Sequence, residues 1–265
     1  MRLKDKVAIV VGAGQAPGDT VGNGRAAAVA FAREGAKVFI TDLVTENMHD
    51  TQRDIAALGG DCEVMQMDVT QEADCAAMVA QCEKRFGQVD ILHHNVGIAG
   101  GDAPAVALER DGWDRMLEVN TTGFFLTTKH TLPVMRARQS GCIIAISSIA
   151  ALWTMGTAVA YKCSKAAMNA FVQSTAVSNA KYGVRVNAIL PGLMDTPIAI
   201  EATRAATGLS AEEIRANRDA RVPLRNKMGT AWDVANAAVF LASDEAGFIT
   251  GVCLPVDGGQ SAKVG

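Results

Sequence analysis

Val7-Ala-Ile-Val-Val11 runs into Gly12-Ala-Gly-Gln-Ala-Pro-Gly-Asp-Thr-Val-Gly-Asn-Gly24 and then into Arg25-Ala-Ala-Ala-Val-Ala-Phe-Ala-Arg33. The first run is apolar throughout, as a parallel strand covered on both faces should be. Asn23 to Arg33 is rich in helix formers, and Gly35 follows as a helix-ending residue. A second apolar run, Lys37 to Thr41, ends at Asp42. Strand, glycine loop, helix, strand and acid in that order form a dinucleotide fingerprint. The glycines allow a tight turn and let the backbone approach a pyrophosphate at the positive end of the helix. The acid accepts hydrogen bonds from the adenosine ribose hydroxyls.

Working outward, strand and helix patterns alternate almost to the end of the chain. A polar helix from Glu46 to Leu58 stops at Gly59-Gly60, a strand follows from Glu63 to Met67, and a helix from Gln71 to Phe86 stops at Gly87. Asp90 to His93 reads as a fourth strand, and a long helical stretch leads to a fifth at Cys142 to Ile146. Tyr161 to Ala180 reads as helix, Val184 to Leu190 as strand, Ala231 to Ser243 as helix and Val252 to Val256 as a last strand. This order predicts an α/β fold: a doubly wound parallel sheet of Rossmann type, with right-handed crossovers. No repeat or linker divides the chain, so residues 1–265 are expected to form a single domain. The less regular stretch from Thr196 to Pro223 falls after a strand, where a substrate lid can be inserted.

Composition narrows the function classes. With 265 residues, 49% hydrophobic and 20% charged, the chain can bury one substantial core and is neither disordered nor fibrous. A net charge of −3 offers no electrostatic footprint for nucleic acid or an anionic membrane. No run approaches the roughly 18 consecutive apolar residues of a spanning helix. The charged-then-apolar start at Met1 runs directly into the glycine loop, which suits a first strand better than a signal peptide. The six cysteines, Cys62, Cys75, Cys82, Cys142, Cys163 and Cys253, show neither C-x-x-C nor histidine spacing. They read as small buried hydrophobes in a reducing compartment, so no metal is expected and the location expected is cytoplasmic.

Tyr161 and Lys165 stand four residues apart, on one face of a helix. A phenol with a pKa near 10 is a poor base at neutral pH. A nearby ammonium and an oxidised nicotinamide both favour the phenolate, and Tyr161 can then take an alcohol proton or return it. Ser148 lies just past the fifth strand, at the edge where open α/β sheets bind ligands, and its hydroxyl can donate to a substrate oxygen.

These residues and their order resemble the short-chain dehydrogenase/reductase superfamily, in its short single-domain form, along essentially the whole chain. The motifs are Gly12, Gly22 and Gly24, then Asp68-Val69, Asn95-Val96-Gly97, Asn120, Ser148, Tyr161 and Lys165. Pro191-Gly192 with Thr196, and Asp257-Gly258-Gly259, complete the series. The resemblance implies Tyr161 as acid/base, with Ser148 orienting the substrate oxygen. Lys165 would bind the nicotinamide ribose and lower the tyrosine pKa, and Asn120 would help hold a water in a proton relay. Asp68 and Val69 would contact adenine, and the backbone of Asn95, Val96 and Gly97 would pass the adenosine ribose and the rear of the nicotinamide site. Pro191, Gly192, Met194 and Thr196 would border the nicotinamide. Gly12, Gly22, Asn23, Gly24, Asp42 and Leu43 complete the expected cofactor contacts.

Three positions depart from the family pattern. Val11 stands where a threonine is usual, so a hydrogen bond bracing the turn is expected to be lost. The loop between Gly12 and Gly22 is longer than usual, and no role is assigned to Gly14, Gln15 or Gly18. His94-Asn95-Val96-Gly97 carries one asparagine and a bulkier valine in place of Asn-Asn-Ala-Gly. His93 and His94 read as packing or surface residues, and Trp113 and Trp232 as core or interface. Trp153, Ile98, Leu152, Met194 and Ile198 are candidates to line an apolar pocket.

The expected activity is NAD-dependent interconversion of a small, largely apolar secondary alcohol and its ketone by hydride transfer. Asp42 disfavours the 2′-phosphate of NADP, and Arg25 is the nearest basic residue that could oppose it. A 3-oxoacyl-thioester ketoreductase is the alternative, but it usually wants NADPH and a basic docking surface. A non-catalytic nucleotide-sensing regulator would have no need of Ser148, Tyr161 and Lys165 together. Ala166, Ala167, Met168, Ala170, Phe171, Val172, Ala176 and Val177 spread apolar or small side chains around the Tyr161 helix, which predicts a homotetramer, with a dimer as fallback.

Overall fold

Alternation of covered strands with amphipathic helices gives one seven-stranded sheet in the computed structural model, which describes residues 1–153 and 158–263. The chain runs β1 (Val7–Val11), α1 (Asn23–Arg33), β2 (Lys37–Asp42), α2 (His49–Ala57), β3 (Cys62–Gln66), α3 (Glu72–Phe86) and β4 (Ile91–His94). It continues through α4 (Arg110–Leu117), α5 (Gly123–Ala137), β5 (Gly141–Ile146), α6 (Val159–Asn179) and β6 (Val184–Pro191). The last part is β7 (Met194–Asp195), α7 (Pro197–Thr207), α8 (Ala211–Asp219), β8 (Gly229–Thr230), α9 (Ala231–Ala242) and β9 (Cys253–Val256).

The strands lie in the order β3-β2-β1-β4-β5-β6-β9, all parallel. β1 pairs with β2 on one side and β4 on the other, so the chain switches direction there and opens a crevice at the carboxyl edge. Side chains alternate across β1. Ala8 and Val10 pack under α1 and α9, whereas Val7, Ile9 and Val11 pack in the core that includes α3, α5 and α6 residues. Both faces are therefore buried, which explains the unbroken apolar run.

Two stretches differ from the sequence reading. The long helix before β5 is interrupted by a π-helical turn at Glu118–Thr122, which contains Asn120. Such turns are frequent at functional sites because they displace one residue from the helical register. The stretch after β7 is not irregular. It forms α7 and α8, with their own small core of Ile200, Ile214, Val222 and Met228. Ser210 starts α8 with a capping box, its hydroxyl accepting from the Glu213 N–H while the Glu213 carboxylate accepts from the Ser210 N–H.

Among the described residues, no helix is long and apolar enough to cross a membrane. All six cysteines are unpaired, and Cys163 is exposed, unlike the buried role expected of it.

Candidate active site

The carboxyl end of β5 and the first two turns of α6 bring Ser148, Tyr161 and Lys165 together. Ser148 follows β5 by two residues and caps a short turn, its Oγ accepting from the Ala150 N–H at 3.1 Å. The Ser148 hydroxyl lies close enough to the Tyr161 side chain to favour the phenolate. The Lys162 ammonium donates to the carbonyls of Ala150 (3.2 Å) and Trp153 (3.2 Å), which ties the serine turn to α6. Lys165 is buried, and its Nζ donates to the Ile146 carbonyl at 2.8 Å, 5.8 Å from the centre of the Tyr161 ring.

Burial dominates the electrostatics here. It pushes the Lys165 ammonium down to about 8. It also pushes the Tyr161 phenol above its ordinary value, and Ser148 only partly opposes this. The Lys165 ammonium is directed at the Ile146 carbonyl, and burial is the largest influence on the phenol.

Asn120 joins three elements. Its Oδ1 accepts from the Ile98 N–H at 2.8 Å, and its Nδ2 donates to the Ile98 carbonyl at 2.9 Å and to Ser164 Oγ at 3.0 Å. The amide therefore braces the loop after β4 against α6. Its side-chain amide is thus engaged in this brace.

The glycine loop fits a nucleotide closely approached by backbone. Gly12 has φ +79°, and its carbonyl accepts from Asn95 Nδ2 at 3.0 Å. A Cβ on Gly24 would stand 1.9 Å from the Gly12 carbonyl oxygen, so no side chain is possible there. Gly22, at the start of α1, meets nothing nearer than 3.8 Å at its Cβ position, and α1 has no side-chain cap. Asn23 follows as the first helical residue. Space and amides at a helix N-terminus suit a phosphate.

The bracing of this loop was partly hidden in the sequence. The Gly12 and Ala13 N–H groups both donate to the Thr41 carbonyl, at 2.8 and 3.1 Å, so the turn is held although Val11 has no hydroxyl. Gln15 supports the long insertion: its amide donates to the carbonyls of Ala16 and Thr20 and accepts from the Gly22 N–H. Val96 crowds Gly12, its Cγ2 lying 2.8 Å from where a Gly12 Cβ would sit.

At the end of β2, Asp42 Oδ2 accepts from the Gly14 N–H at 2.9 Å, and Leu43 beside it is exposed. Asp68 Oδ1 accepts from the Thr70 N–H and hydroxyl, and Val69 is buried against Gly123. A Cβ on Gly97 would meet Lys165 Nζ at 2.9 Å. Pro191 ends β6, and the Gly192 N–H donates to the Val256 carbonyl at 3.0 Å. Gln260 Oε1 accepts from the Leu193 N–H, which fixes the following turn. Met194 and Thr196 are buried, Met194 within the core that includes α1 and α9.

His93 and His94 are buried and held near pKa 3 by desolvation, so they are neutral packing residues. Trp153, Leu152 and Ile198 are exposed, Met194 is buried and Ile98 is partly buried. Gln15, Lys162 and the Asp102 carboxylate bonded to the start of α6 were not identified from the sequence.

A family model described as "Enoyl-(Acyl carrier protein) reductase" matches residues 19–261. The chain is 36% identical to 2,5-dichloro-2,5-cyclohexadiene-1,4-diol dehydrogenase of Sphingobium indicum, across 99% of each chain. It is 37% identical to cis-4-hydroxycyclohexanecarboxylate dehydrogenase of Sinomonas cyclohexanicum, across 97% of each. A solved structure described as a short-chain dehydrogenase/reductase from Burkholderia xenovorans superposes with a TM-score of 0.93 at 42% identity, covering 100% of this chain and 99% of that one. With its sheet order and the joined Ser148, Tyr161 and Lys165, the chain belongs to the short-chain dehydrogenase/reductase family of oxidoreductases acting on CH–OH groups.

Proposed function

We propose that this protein is an NAD-dependent dehydrogenase of a small, largely apolar secondary alcohol, with a cyclohexanol-type ring as the favoured class. The observation that carries the proposal is the grouping of Ser148, Tyr161 and buried Lys165 at the carboxyl edge of the sheet, with Lys165 Nζ 5.8 Å from the centre of the Tyr161 ring. The ring preference rests on the two relatives named above, whose substrates carry hydroxyls on six-membered carbocycles.

A bound nicotinamide supplies the two-electron acceptor for the alcohol carbon, or the donor for the ketone. The remaining work belongs to the chain. Ser148 donates to the substrate oxygen and holds it beside the phenol. Tyr161 takes the hydroxyl proton in oxidation and returns it in reduction. Burial favours the neutral phenol, so the positive charges of Lys165 and of the oxidised cofactor are needed to make it a base. Lys165 would also hold the nicotinamide ribose.

Gly12, Gly22, Asn23 and Gly24 would cradle the pyrophosphate. Asp42 and Leu43 would receive the adenosine ribose, Asp68 and Val69 the adenine, and Asn95, Val96 and Gly97 the middle of the cofactor. Pro191, Gly192, Met194 and Thr196 would border the nicotinamide. Leu152, Trp153 and Ile198 offer apolar surface at the rim to an incoming ring, with α7 and α8 as the lid.

The proposed assembly is a homotetramer paired through α6. Met168, Val172 and Ala176 turn into the core, whereas Ala166, Ala167, Ala170 and Val177 are exposed on the single chain. Sedimentation at micromolar concentration tests this, and a monomer there overturns it. The functional proposal is tested by NADH formation across cyclic alcohols, diols, sugars and hydroxyacyl thioesters. Failure of every alcohol and diol contradicts it.

A further inference from the structure

Tyr161 is the third residue of α6 and therefore lies in the first turn, where backbone N–H groups have no helical acceptor. The residue before the helix is Ala158, which supplies no side-chain cap. The acceptors come from far away in the sequence. Asp102 Oδ1 accepts from the N–H groups of Val159 at 3.1 Å and Ala160 at 3.0 Å. Its Oδ2 accepts from the N–H of Tyr161 itself at 2.7 Å. Oδ1 also takes the Ala103 N–H at 2.8 Å, which fixes the carboxylate on its own loop.

One carboxylate thus satisfies three consecutive orphan donors, and its charge suits the positive end of the helix. The strap that carries it begins at the cofactor crevice. Asn95 bonds Gly12, Ile98 is gripped on both backbone groups by Asn120, and Asp102 then seizes the start of α6. Lys165, one turn further on, has its own anchor on the Ile146 carbonyl. The Lys165 ammonium therefore has an anchor of its own besides the helix that Asp102 caps.

We infer that Asp102 is a positioning residue for Tyr161: it fixes the backbone of the acid/base through the Tyr161 N–H, while the cofactor-binding groups are fixed by other contacts. This rests on the functional proposal above for Tyr161. A displacement of about 1 Å at a reacting group can cost on the order of 10²-fold in rate.

The test uses the full chain with Asp102→Ala and Asp102→Asn. Asparagine keeps one acceptor oxygen and loses the other. Hydrogen exchange of the peptide spanning Val159 to Tyr161 should quicken by about tenfold or more in Asp102→Ala, with β1 peptides unchanged. Binding of NADH, read by its fluorescence, should stay within about twofold, while kcat falls by about 10- to 100-fold. Asp102→Asn should lie between the alanine variant and wild type on both exchange and kcat. If Asp102→Ala fails to fold, the asparagine variant decides alone by the same two readouts. Wild-type exchange and kcat in the variants overturn the inference, as does a loss of kcat matched by an equal loss of NADH affinity. If the wild-type protein oxidises no alcohol, the functional proposal fails, and wild-type exchange at Val159 to Tyr161 in Asp102→Ala would still separately overturn the hold of Asp102 on α6.

Discussion

If Asp42 sets a preference for NAD over NADP by its negative charge, replacing it by alanine should narrow that preference. Asp42 ends β2 and already bonds the glycine loop at Gly14. A ribose held there would place the 2′ position of NADP beside this carboxylate. At an effective dielectric of about 20, two unit charges roughly 4 Å apart repel by about 4 kcal/mol. If screening and relaxation leave a third of that, the preference is about tenfold. Arg25 is the residue that could reverse this, and the structure shows it engaged elsewhere. Its Nε and Nη2 contact Asp54 at 2.9 and 2.8 Å, and Nη1 reaches Asp50 at 3.4 Å. Arg53 pairs with Asp50 as well. A cleft of about 410 Å³ beside the Gly14–Asp42 contact is lined by residues 15–21 with Arg25, Glu46, Asn47 and Asp50. Its acids Asp19, Glu46 and Asp50 outnumber its one cation. Steady-state kinetics should therefore give kcat/KM for NAD about tenfold or more above NADP. Asp42→Ala should weaken NAD and relieve NADP without making NADP the better cofactor, because Arg25 stays paired. Equal use of both cofactors by the wild type would refute the reasoning, since it requires Arg25 to leave Asp50 and Asp54 or Asp42 to face away from the ribose.

Lys165→Met removes a cation whose pKa is about 8 in the fold against roughly 10.4 unfolded. Between those values the unfolded chain binds more protons, so wild-type stability gains on the variant as pH rises through that window. Thermal melts of the pair across the window check the sign, and the rising limb of alcohol oxidation should move to higher pH in the variant. His93 is buried with neither ring nitrogen bonded among the described residues, and it meets Phe31 edge-on with ring centres 5.5 Å apart. His93→Phe should stabilise the protein by about 1 kcal/mol by removing unsatisfied polar atoms. The gain should grow on acidification from about 6.5 towards 3, where the unfolded histidine takes up protons that the folded one refuses. A gain that is flat across that range in denaturant titrations would contradict this.

Local physics explains which parts of the fold were legible. α1 runs over Asn23–Arg33 as read from the sequence, because the glycines, the helix formers and Gly35 all act within a few residues. The seven strands of the main sheet were each read to within a residue or two, whereas the two-residue strands β7 and β8 were not read. α6 begins at Val159 rather than at Tyr161, since its first turn depends on Asp102, which no local pattern around the tyrosine reveals. The helices α7 and α8 were missed for a different reason. The Ser210 and Glu213 capping box is a local signal, but mixed Ala, Glu and Arg obscured the short apolar face of Ile214. Ser148, Tyr161 and Lys165 were found because their chemistry fixes residue type and spacing. The supports Asn120, Gln15, Lys162 and Asp102 act through backbone groups remote in sequence or through one loop's particular path. Asn120 was identified, yet its engagement with Ile98 and Ser164 shows work that spacing does not convey.

The most direct test of the account is Tyr161→Phe, compared with wild type for NADH formation from cyclohexanol-type alcohols. The ring is kept, so the variant should fold and bind NADH as the wild type does. The ionisable oxygen is lost, and kcat should fall by about 10²- to 10⁴-fold. A variant that binds NADH normally and retains more than about a tenth of wild-type kcat would contradict the assignment of Tyr161 as the acid/base.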